Sequence, residues 1–365
     1  MRVLVCTVVH NPTDARIFRR EIGALLDAGH EVTAIAPWQS NTPGDDRVRR
    51  VSVPRAVGRN RLASLMAARS KVRELAVEHD LLVVHDPELL VVLPWAELKR
   101  TKTPVVWDVH EDLAAALLDK AWLPPLLRRP LAVAVRLMEK WAERRCTLLL
   151  AEKRYQERFA QTHPLVLNLP LVPSQLPTAD RKRQVIYVGS ITQARGLNLM
   201  LQLAALLQPH DIKVRLIGET HSAEDTALIN SAANVEWHGA LPNAVAMAEV
   251  ESSLVGLSLL ANLPNYQHSM PTKVLEYMAS GTAVVSTPLP LAVEVLGEDG
   301  VLLAGFDDSS LEQAAAAIVR LADDGHAREQ LTRRAFERVS REYNWLVDGP
   351  KFVRVLEAVA ARQPL

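Results

Sequence analysis

The sequence predicts an α/β protein with two doubly wound parallel-sheet domains, and three observations lead to this prediction. The chain has 365 residues, which corresponds to about two domains of roughly 100–200 residues each. Short apolar runs alternate with helical patterns in both halves, as is typical of parallel sheets whose strands are buried on both faces. Residues 163–184 interrupt this alternation with a linker-like composition of four prolines and a charged run.

The first half contains the earlier series of strands and helices. A strand-like run, Val3 to Val9, leads into a helical pattern that Gly29 closes, and residues 31–36 form the next predicted strand. Strand, helix and strand thus follow one another as a βαβ unit. Further elements are predicted as strands at 81–84, 104–109 and 147–151 and a helix at 126–144. We therefore predict a first domain over residues 1–170.

The second half repeats this architecture without repeating the sequence. A helix is predicted at 197–207, and strands are predicted at 185–188, 213–217, 235–237, 255–259 and 283–286. We predict a second domain over residues 184–345. The segment 346–365 carries a last helical pattern, which we expect could return to the first domain.

Composition and charge exclude several classes of protein. The formal net charge is zero, so the whole molecule is not attracted to polyanions and we expect no nucleic-acid partner. Two cysteines, Cys6 and Cys146, show no metal or redox spacing and fit a reducing compartment. The first residues do not resemble a signal peptide, and no apolar run reaches about 18 residues. We therefore expect a cytoplasmic protein.

Two segments are compatible with peripheral contact to a membrane. Residues 47–73 carry nine arginines and lysines without an acid. Residues 122–130 and 131–140 are apolar with basic flanks, so they could touch an anionic membrane and a lipid-linked acceptor. The alternative is an ordinary helix that faces the core and has solvated arginines.

Loops that follow the predicted strands hold the candidate site residues. In open parallel sheets, ligands bind beyond the carboxyl ends of the strands. In the first half these loops include His10–Arg16, 85–87 and 110–112, and in the second half they include Gly189–Gly196, 218–219 and 262–276.

The loop from Gly189 to Gly196 joins a strand to a helix. Gly189 allows backbone to approach a ligand, amide groups at the helix start can bind phosphate oxygens, and Arg195 adds a charged fork. The alternative is a simple turn glycine. The loop does not have the pattern of a Walker phosphate-binding loop, and that pattern occurs nowhere in the chain.

The segment from His268 to Gly281 is the more specific feature. Pro271 fits the first turn of a helix, and Lys273 and Glu276 lie three residues apart on one helical face. An acid on a helix that starts at the cleft can bind a ribose diol, and a lysine near that start can contact a diphosphate. The alternative is a surface ion pair that contributes at most about 1 kcal/mol.

This segment resembles the retaining glycosyltransferases of family 4, which have the GT-B architecture of two facing Rossmann-like domains with a central cleft. Their motif has two acids eight positions apart, of which Glu276 matches the second and His268 replaces the first. The resemblance implies that Glu276 binds the nucleotide ribose and that donor-sugar contact differs at residue 268. Arg195 stands where the family has a lysine, and Ser190 where it has an arginine.

The first half resembles a subgroup of the same family that includes transferases of bacterial surface polysaccharides and natural products. The stretch Trp107-Asp108-Val109-His110-Glu111 is similar to the subgroup pattern Y-D-x-H-E. The resemblance implies that His110 lies at the strand end that faces the donor sugar. It places the acceptor in the first domain and the nucleotide sugar in the second.

The resemblance assigns the following residues. Catalytic roles fall to His110, Arg195 and Lys273. The nucleotide-sugar site comprises Gly189, Ser190, Arg195, Gly218, Glu219, His268, Pro271, Thr272, Lys273, Val274 and Glu276. Acceptor-side candidates are His10, Asp14, Arg16 and Glu111, although Asp14 could equally cap a turn.

The implied reaction moves a sugar from a nucleotide-diphosphate sugar to a hydroxyl acceptor, which could be a glycan, a glycolipid or a natural product. It retains anomeric configuration by front-face attack, without a metal or cofactor. Three alternatives stay open: a non-catalytic sugar-nucleotide-binding subunit, a sugar phosphorylase and a nucleotide-sugar epimerase. A Rossmann dehydrogenase is disfavoured, because no G-x-G-x-x-G follows the first strand.

Overall fold

The chain folds into two α/β units. The computed structural model describes residues 1–119, 123–307 and 309–363, so Trp122 of the predicted membrane segment lies outside the described residues. Unit 1 contains Met1–Asn168 and the described part of Leu346–Leu365, and unit 2 contains Leu169–Trp345.

Unit 1 is built on a six-stranded parallel sheet. Its strands are β1 Arg2–Cys6, β2 Glu31–Ala36, β3 Val48–Ser52, β4 Leu81–Val84, β5 Val105–Val109 and β6 Thr147–Leu150. They are arranged in the order β3-β2-β1-β4-β5-β6, which is the order of a dinucleotide-binding Rossmann fold. The reversal of strand order between β1 and β4 opens a crevice at their carboxyl ends, where ligands bind in such sheets.

Two features of this sheet differ from the sequence prediction. The first strand ends at Cys6 rather than at Val9, because the amide groups of Val8 and Val9 donate to the carboxylate of Asp86 instead of to the sheet. Strand β3 was not predicted. It lies at the sheet edge with exposed arginines, so it lacks the continuous apolar pattern of the inner strands.

Helices cover the sheet of unit 1. The first helical segment winds as a π-helix over Ala15–Ile22 and continues as an α-helix over Gly23–Asp27. The long helix predicted at 126–144 spans Pro125–Glu143. The remaining α-helices are Arg61–Leu75, Pro87–Val92, Trp95–Thr101, Leu113–Asp119 and Trp345–Ala360, and short 3-10 turns cover Gly58–Asn60, Ala76–Glu78 and Lys153–Arg158.

Unit 2 has a second six-stranded parallel sheet. Its strands are β7 Lys182–Val188, β8 Lys213–Ile217, β9 Val235–Trp237, β10 Ser253–Ser258, β11 Ala283–Ser286 and β12 Val301–Leu302, in the order β12-β11-β10-β7-β8-β9. Its α-helices are Leu197–Leu207, Ala223–Ser231, Asn243–Glu251, Thr272–Ala279, Pro290–Leu296, Ser309–Asp323 and Gly325–Glu342, with 3-10 turns at Gln193–Arg195 and Gln208–His210. Buried aliphatic side chains fill the space between sheet and helices in each unit.

The last helix, Trp345–Ala360, belongs to unit 1 over nearly all its length. The ring of His30 lies 3.0 Å from a carboxylate oxygen of Glu357, and Arg362 donates to the carbonyl of Lys102. Where the chain leaves unit 2, the amide of Trp345 donates to the carbonyl of Pro170 over 2.8 Å. A hydrogen bond between Pro170 and Trp345 therefore joins the irregular segment by which the chain first leaves unit 1 to the start of the helix by which it returns.

Ion pairs partly neutralise the basic segment 47–73 in the folded protein. Acids from other parts of unit 1 pair with its arginines, in the pairs Arg47–Asp45, Arg49–Glu78, Arg61–Glu88 and Arg73–Glu97. The basic patch that the sequence indicates is therefore interleaved with carboxylates in space. No helix within the described residues has both the length and the apolar character needed to cross a bilayer.

Candidate functional site

The carboxyl ends of β7 and β8 bring two glycines of the predicted nucleotide-sugar site together. Gly189 follows β7 with φ +138°, a conformation that favours glycine, and its amide donates to the carbonyl of Ile217. Gly218 follows β8 and lies so close to the carbonyl of Gly189 that any side chain there would overlap it. The two glycines therefore let the ends of two neighbouring strands pack closely together, and Gly189 is the one of the pair that remains partly exposed.

The loop after Gly189 is held by backbone and side-chain hydrogen bonds. The amide of Ile191 donates to the carbonyl of Glu219 over 2.8 Å, which links this loop to the one after β8. The hydroxyl of Thr192 accepts from the amide of Arg195 and caps the short turn before the helix Leu197–Leu207. This fixes the loop that carries Ser190 and Arg195.

The helix Thr272–Ala279 carries the other predicted residues of this site. Pro271 directly precedes it, where a missing N–H costs no helical hydrogen bond. Val274 is buried against the sheet, whereas Lys273 and Glu276 are half-buried on another face. The prediction that Lys273 and Glu276 share a helical face agrees with this geometry.

Lys273 lies at the end of β7. Its ammonium nitrogen is 5.5 Å from the centroid of the Tyr187 ring, and it packs over Gly189. The pKa of Lys273 is lowered to about 8, mainly by burial and to a smaller extent by the positive charge of Arg195. The carboxylate of Glu276 opposes both effects. Lys273, Arg195 and Glu276 thus lie close to one another near Gly189. Two cations beside a glycine backbone suit an anionic ligand such as a diphosphate.

His268 lies in the loop that precedes the helix Thr272–Ala279. It ends a turn over residues 264–268 that precedes the helix, and its side chain is half-buried. The same turn is closed by a hydrogen bond from the Ser269 hydroxyl to the carbonyl of Asn265. A contact between His268 and the donor sugar stays a prediction.

In unit 1, the carboxylate of Asp108 is the centre of a buried polar cluster at the end of β5. Arg16 donates to both of its oxygens, over 2.8 and 2.6 Å. The Nδ1 atoms of His85 and His110 lie 3.2 and 3.1 Å from its Oδ2 atom. Burial alone would raise the pKa of Asp108, but Arg16 and the two histidines hold it well below its usual range. The surroundings of Asp108 therefore favour its ionised form.

His110 pairs with His10 at the mouth of the same crevice. Their Nε2 atoms are 3.1 Å apart, and His10 Nε2 is also 3.3 Å from Asp86. Burial lowers the pKa of His110, but its hydrogen bond to Asp108 outweighs this and raises the pKa above its usual value. Because Asp108 accepts from Nδ1, the Nε2 atom of His110 is directed to His10.

These loops line a cavity of about 220 Å³. Its walls include His10, His85, Asp86, His110 and Glu111. Three predicted residues, His10, His110 and Glu111, thus come together at one edge of the sheet. Sequence reasoning identified the loop that contains His85 and Asp86 but assigned no role to either residue.

Arg16 and Asp14 are placed differently from these histidines. Asp14 accepts hydrogen bonds from the amides of Arg16 and Ile17, so it caps the first helix, which was the alternative stated for it. The guanidinium of Arg16 is buried between Asp108, Glu21 and the carbonyl of Val166. An acceptor-side role for these two side chains stays a prediction.

Metal-ligand atoms of His85, Asp108 and His110 lie within 4.8 Å of one another. In this cluster, however, both carboxylate oxygens of Asp108 already accept hydrogen bonds from Arg16. A metal ion bound there would have to displace the buried guanidinium of Arg16. The residues therefore fit the ion pair between Arg16 and Asp108 better than a metal site.

Comparison with known proteins agrees with this architecture. A model described as Glycosyltransferase Family 4 matches residues 15–165, and one described as glycosyl transferases group 1 matches residues 182–324. Together the two models cover most of the chain. Among curated protein sequences, none matches this chain.

Several solved structures have the same fold over almost their whole length. A sucrose-phosphate synthase from Thermosynechococcus elongatus has a TM-score of 0.74 at 18% identity, covering 99% of this chain and 100% of that one. HepE of Anabaena in complex with UDP-glucose has a TM-score of 0.70 at 14% identity, covering 98% and 100%. WaaG, a glycosyltransferase of lipopolysaccharide biosynthesis, has a TM-score of 0.70 at 17% identity, covering 97% and 99%. The two six-stranded sheets are therefore those of the GT-B fold.

Proposed function

The chain belongs to family 4 of the glycosyltransferases, and we propose that it moves a sugar from a nucleoside diphosphate sugar to an acceptor hydroxyl with retention of anomeric configuration. The observation that carries the donor class is the group formed by Gly189, Arg195, Lys273 and Glu276 at the ends of β7 and β8. The structure of HepE with UDP-glucose supports a nucleotide sugar as the donor.

In this proposal unit 2 binds the nucleotide. Glu276 accepts hydrogen bonds from the two ribose hydroxyls, and the diphosphate lies against Gly189 and Ser190, with Arg195 and Lys273 beside it. When the bond between the anomeric carbon and the phosphate oxygen breaks, its electron pair stays on the phosphate. Fixed cations then stabilise the developing charge, which is the largest contribution expected from such a site.

The acceptor oxygen forms its bond to the anomeric carbon from the same face that the phosphate leaves. The departing phosphate oxygen takes the acceptor proton, so the step needs no protein nucleophile. His110 orients the donor sugar in this scheme. Its role is positional, because Asp108 and His10 fix its ring at the wall of the cavity.

We propose that the acceptor is a glycan, a glycolipid or a natural product, and that the enzyme works in the cytoplasm. Both cysteines, Cys6 and Cys146, are free thiols, which fits a reducing compartment.

The proposed donor site is tested by titrating the full chain with UDP and with other nucleoside diphosphates in a calorimeter. Glu276→Ala should weaken the best binder about 10–100-fold, because charged hydrogen bonds contribute about 1.5–3 kcal/mol. Glu312→Ala is the matched control, since Glu312 is an exposed acid in the first turn of another helix of unit 2. Equal affinities of the wild type and Glu276→Ala would rule out the ribose role. Release of nucleotide only when an acceptor extract is added would establish transfer.

A further inference from the structure

A second cavity of unit 1 lies at the carboxyl ends of β1, β2 and β3, and we propose that it binds an anionic group of the acceptor, a phosphate or a carboxylate. Its volume is about 670 Å³, and its lining residues fall within 11–13, 37–43 and 52–55. We call it the arginine cavity, because Arg55 lines it and Arg50 packs on its wall. The proposal rests on the proposed function, since it names the chemical class of the acceptor that receives the sugar.

Arg50 and Arg55 carry positive charge that no acid pairs with among the described residues. Both residues are exposed, and their hydrogen bonds go to neutral carbonyl groups: Arg50 donates to Thr42 and Arg55 donates to Val9. A carbonyl group engages only part of the five N–H donors of a guanidinium and does not neutralise its charge. Each arginine therefore retains both charge and donors for a ligand.

Acids are absent from the described lining of the arginine cavity. The carboxylate of Asp45 interacts with the charge of Arg50, but both of its oxygens accept hydrogen bonds from Arg47. The cavity around His110 differs in this respect, because Asp86 and Glu111 are among its lining residues. Of these two cavities, the arginine cavity is therefore the one whose charge suits an anion.

The wall that carries Arg50 is rigid. Its guanidinium carbon lies 5.1 Å from the centroid of the Trp38 ring, and Trp38 is a buried lining residue of the cavity. The indole nitrogen of Trp38 donates to the carbonyl of Ala34 over 2.9 Å, and the ring of Phe18 packs against it at an angle of 73°. The cation is thus held on an aromatic face that is itself fixed from two sides.

The rest of the cavity combines stiff backbone with available amide groups. The side chains of Gln39 and Asn41 are exposed and make no hydrogen bond within the described part of the chain, so they can bind the hydroxyl groups of a sugar. Fixed φ angles at four lining prolines reduce the backbone entropy that binding would cost. These prolines are Pro12, Pro37, Pro43 and Pro54.

The arginine cavity adjoins the crevice of His110. Val9 accepts the hydrogen bond of Arg55 over 3.2 Å and also lines the cavity that contains His10 and His110. Asn11, which follows His10, lines the arginine cavity. An acceptor whose anionic group binds Arg55 can therefore extend a hydroxyl group towards His10. The volume of the cavity lies within the range of about 300–1,000 Å³ that is usual for small-molecule sites.

Calorimetric titration of the full chain tests the proposal with glucose 6-phosphate, glucuronate and glucose, which share a sugar ring and differ in charge. We expect at least one of the two anions to bind at low salt about tenfold or more tightly than glucose, and to bind more weakly as salt is added. Arg50→Gln with Arg55→Gln should weaken this binding about tenfold or more, because charged hydrogen bonds are lost. Asn41→Asp, which keeps the shape of the side chain, should weaken it by repulsion.

Matched variants serve as controls. Arg49→Gln with Arg59→Gln changes two exposed arginines of the same segment that do not line the cavity, and Asn60→Asp adds an acid at an exposed turn. Both should bind the sugar anion like the wild type.

Titration with a nucleoside diphosphate separates this proposal from the donor site. Lys273→Met should bind the sugar anion normally, since Lys273 belongs to the proposed donor site of unit 2. The arginine and asparagine variants should bind the nucleoside diphosphate normally, which also shows that they are folded. A failure of the donor site would therefore appear in this titration and leave the result for Arg50 and Arg55 unaffected.

Inhibition links the cavity to the acceptor. The sugar anion that binds should inhibit the release of nucleotide that an acceptor extract induces, and more extract should relieve this inhibition. A saturating anion that does not inhibit would overturn the assignment to the acceptor.

Three further results would overturn the proposal. The first is equal affinity of the wild type for glucose and for both anions, or no binding of either anion at low salt. The second is an equal loss of affinity in Arg49→Gln with Arg59→Gln. The third is binding to vesicles of phosphatidylglycerol that needs Arg50 and Arg55 while neither soluble anion binds, which would assign these arginines to a lipid surface.

Discussion

The side chain of Lys273 occupies the space that a side chain on Gly189 would need. A Cβ atom built on Gly189 would lie 2.6 Å from Nζ and 2.7 Å from Cε of Lys273. The glycine therefore positions the lysine over the end of β7 simply by having no side chain. The phosphate-binding backbone and the phosphate-binding cation of the proposed donor site are thus coupled to each other.

Gly189→Ala should weaken nucleoside diphosphate binding about 10–100-fold, because the methyl group displaces a charged hydrogen-bond donor. Calorimetry measures the affinity. Gly58→Ala is the control, since Gly58 also has a positive φ but nothing within 4 Å of a built Cβ. It should cost about 1 kcal/mol of stability and leave the affinity unchanged. Unchanged affinity in Gly189→Ala would show that nucleoside diphosphate binding does not depend on the position of Lys273 over Gly189.

The affinity for a nucleoside diphosphate should fall as the pH rises through about 8, where Lys273 of the free protein loses its proton. Binding near this pH should take up a proton, which calorimetry in buffers of different ionisation enthalpy detects. Lys273→Arg should bind without this pH dependence, because arginine stays charged. A flat profile in the wild type would contradict a direct role of the ammonium group.

The same lysine affects stability with a definite sign. Its pKa is about 8 in the folded chain and about 10.4 in an unfolded chain, so the unfolded state binds more protons between these values. The contribution of Lys273 therefore makes the protein more stable as the pH rises from 8 to 10. Urea unfolding of the wild type and Lys273→Met across this range should differ in slope, and parallel curves would refute it.

His110→Ala should reduce turnover about a hundredfold while nucleoside diphosphate affinity stays normal, because misplacement of the sugar affects the transfer step rather than the diphosphate. Initial rates and calorimetry measure the two quantities. His221→Ala changes an exposed histidine of unit 2 and should alter neither. A parallel loss of affinity and rate in His110→Ala would indicate a folding defect instead of a positional role.

Asp108→Asn should lower the free energy of unfolding by about 3–5 kcal/mol, because it removes the carboxylate that accepts two hydrogen bonds from the buried guanidinium of Arg16 and leaves Glu21 as its remaining acidic neighbour. Chemical denaturation measures this loss. Asp45→Asn breaks an exposed pair with Arg47 and should leave the unfolding midpoint nearly unchanged. Since the pKa of Asp108 is held well below its unfolded value, its stabilisation is present above pH ~4 and is lost as the pH falls below that value. Equal effects of the two variants would contradict the role of Asp108.

Sequence patterns predict the inner framework well. The strands Lys213–Ile217 and Ala283–Ser286 have the bounds that their apolar runs indicate. Helices cover both faces of a parallel sheet, so its inner strands are apolar runs. The local apolar pattern therefore indicates where such a strand begins and ends.

The local sequence pattern does not predict contacts between residues that are far apart in the chain. Arg16 and Asp108 are 92 residues apart, and no local feature of either segment indicates their ion pair. The basic run 47–73 looks like a positive patch because its neutralising acids, such as Glu88 and Glu97, lie further along the chain. The helix Pro125–Glu143 shows a second limit: periodicity reveals an apolar side but not whether that side faces the core or the solvent.

The path of the chain has a consequence for biosynthesis. Unit 1 is completed by the helix Trp345–Ala360, which the ribosome produces only after all of unit 2. Until then the surface that receives Phe352 and Leu356 is uncovered, while unit 2 already has its entire sequence. Unit 2 can therefore fold while the last helix of unit 1 is still to be synthesised, whereas unit 1 is complete only after that helix has been made.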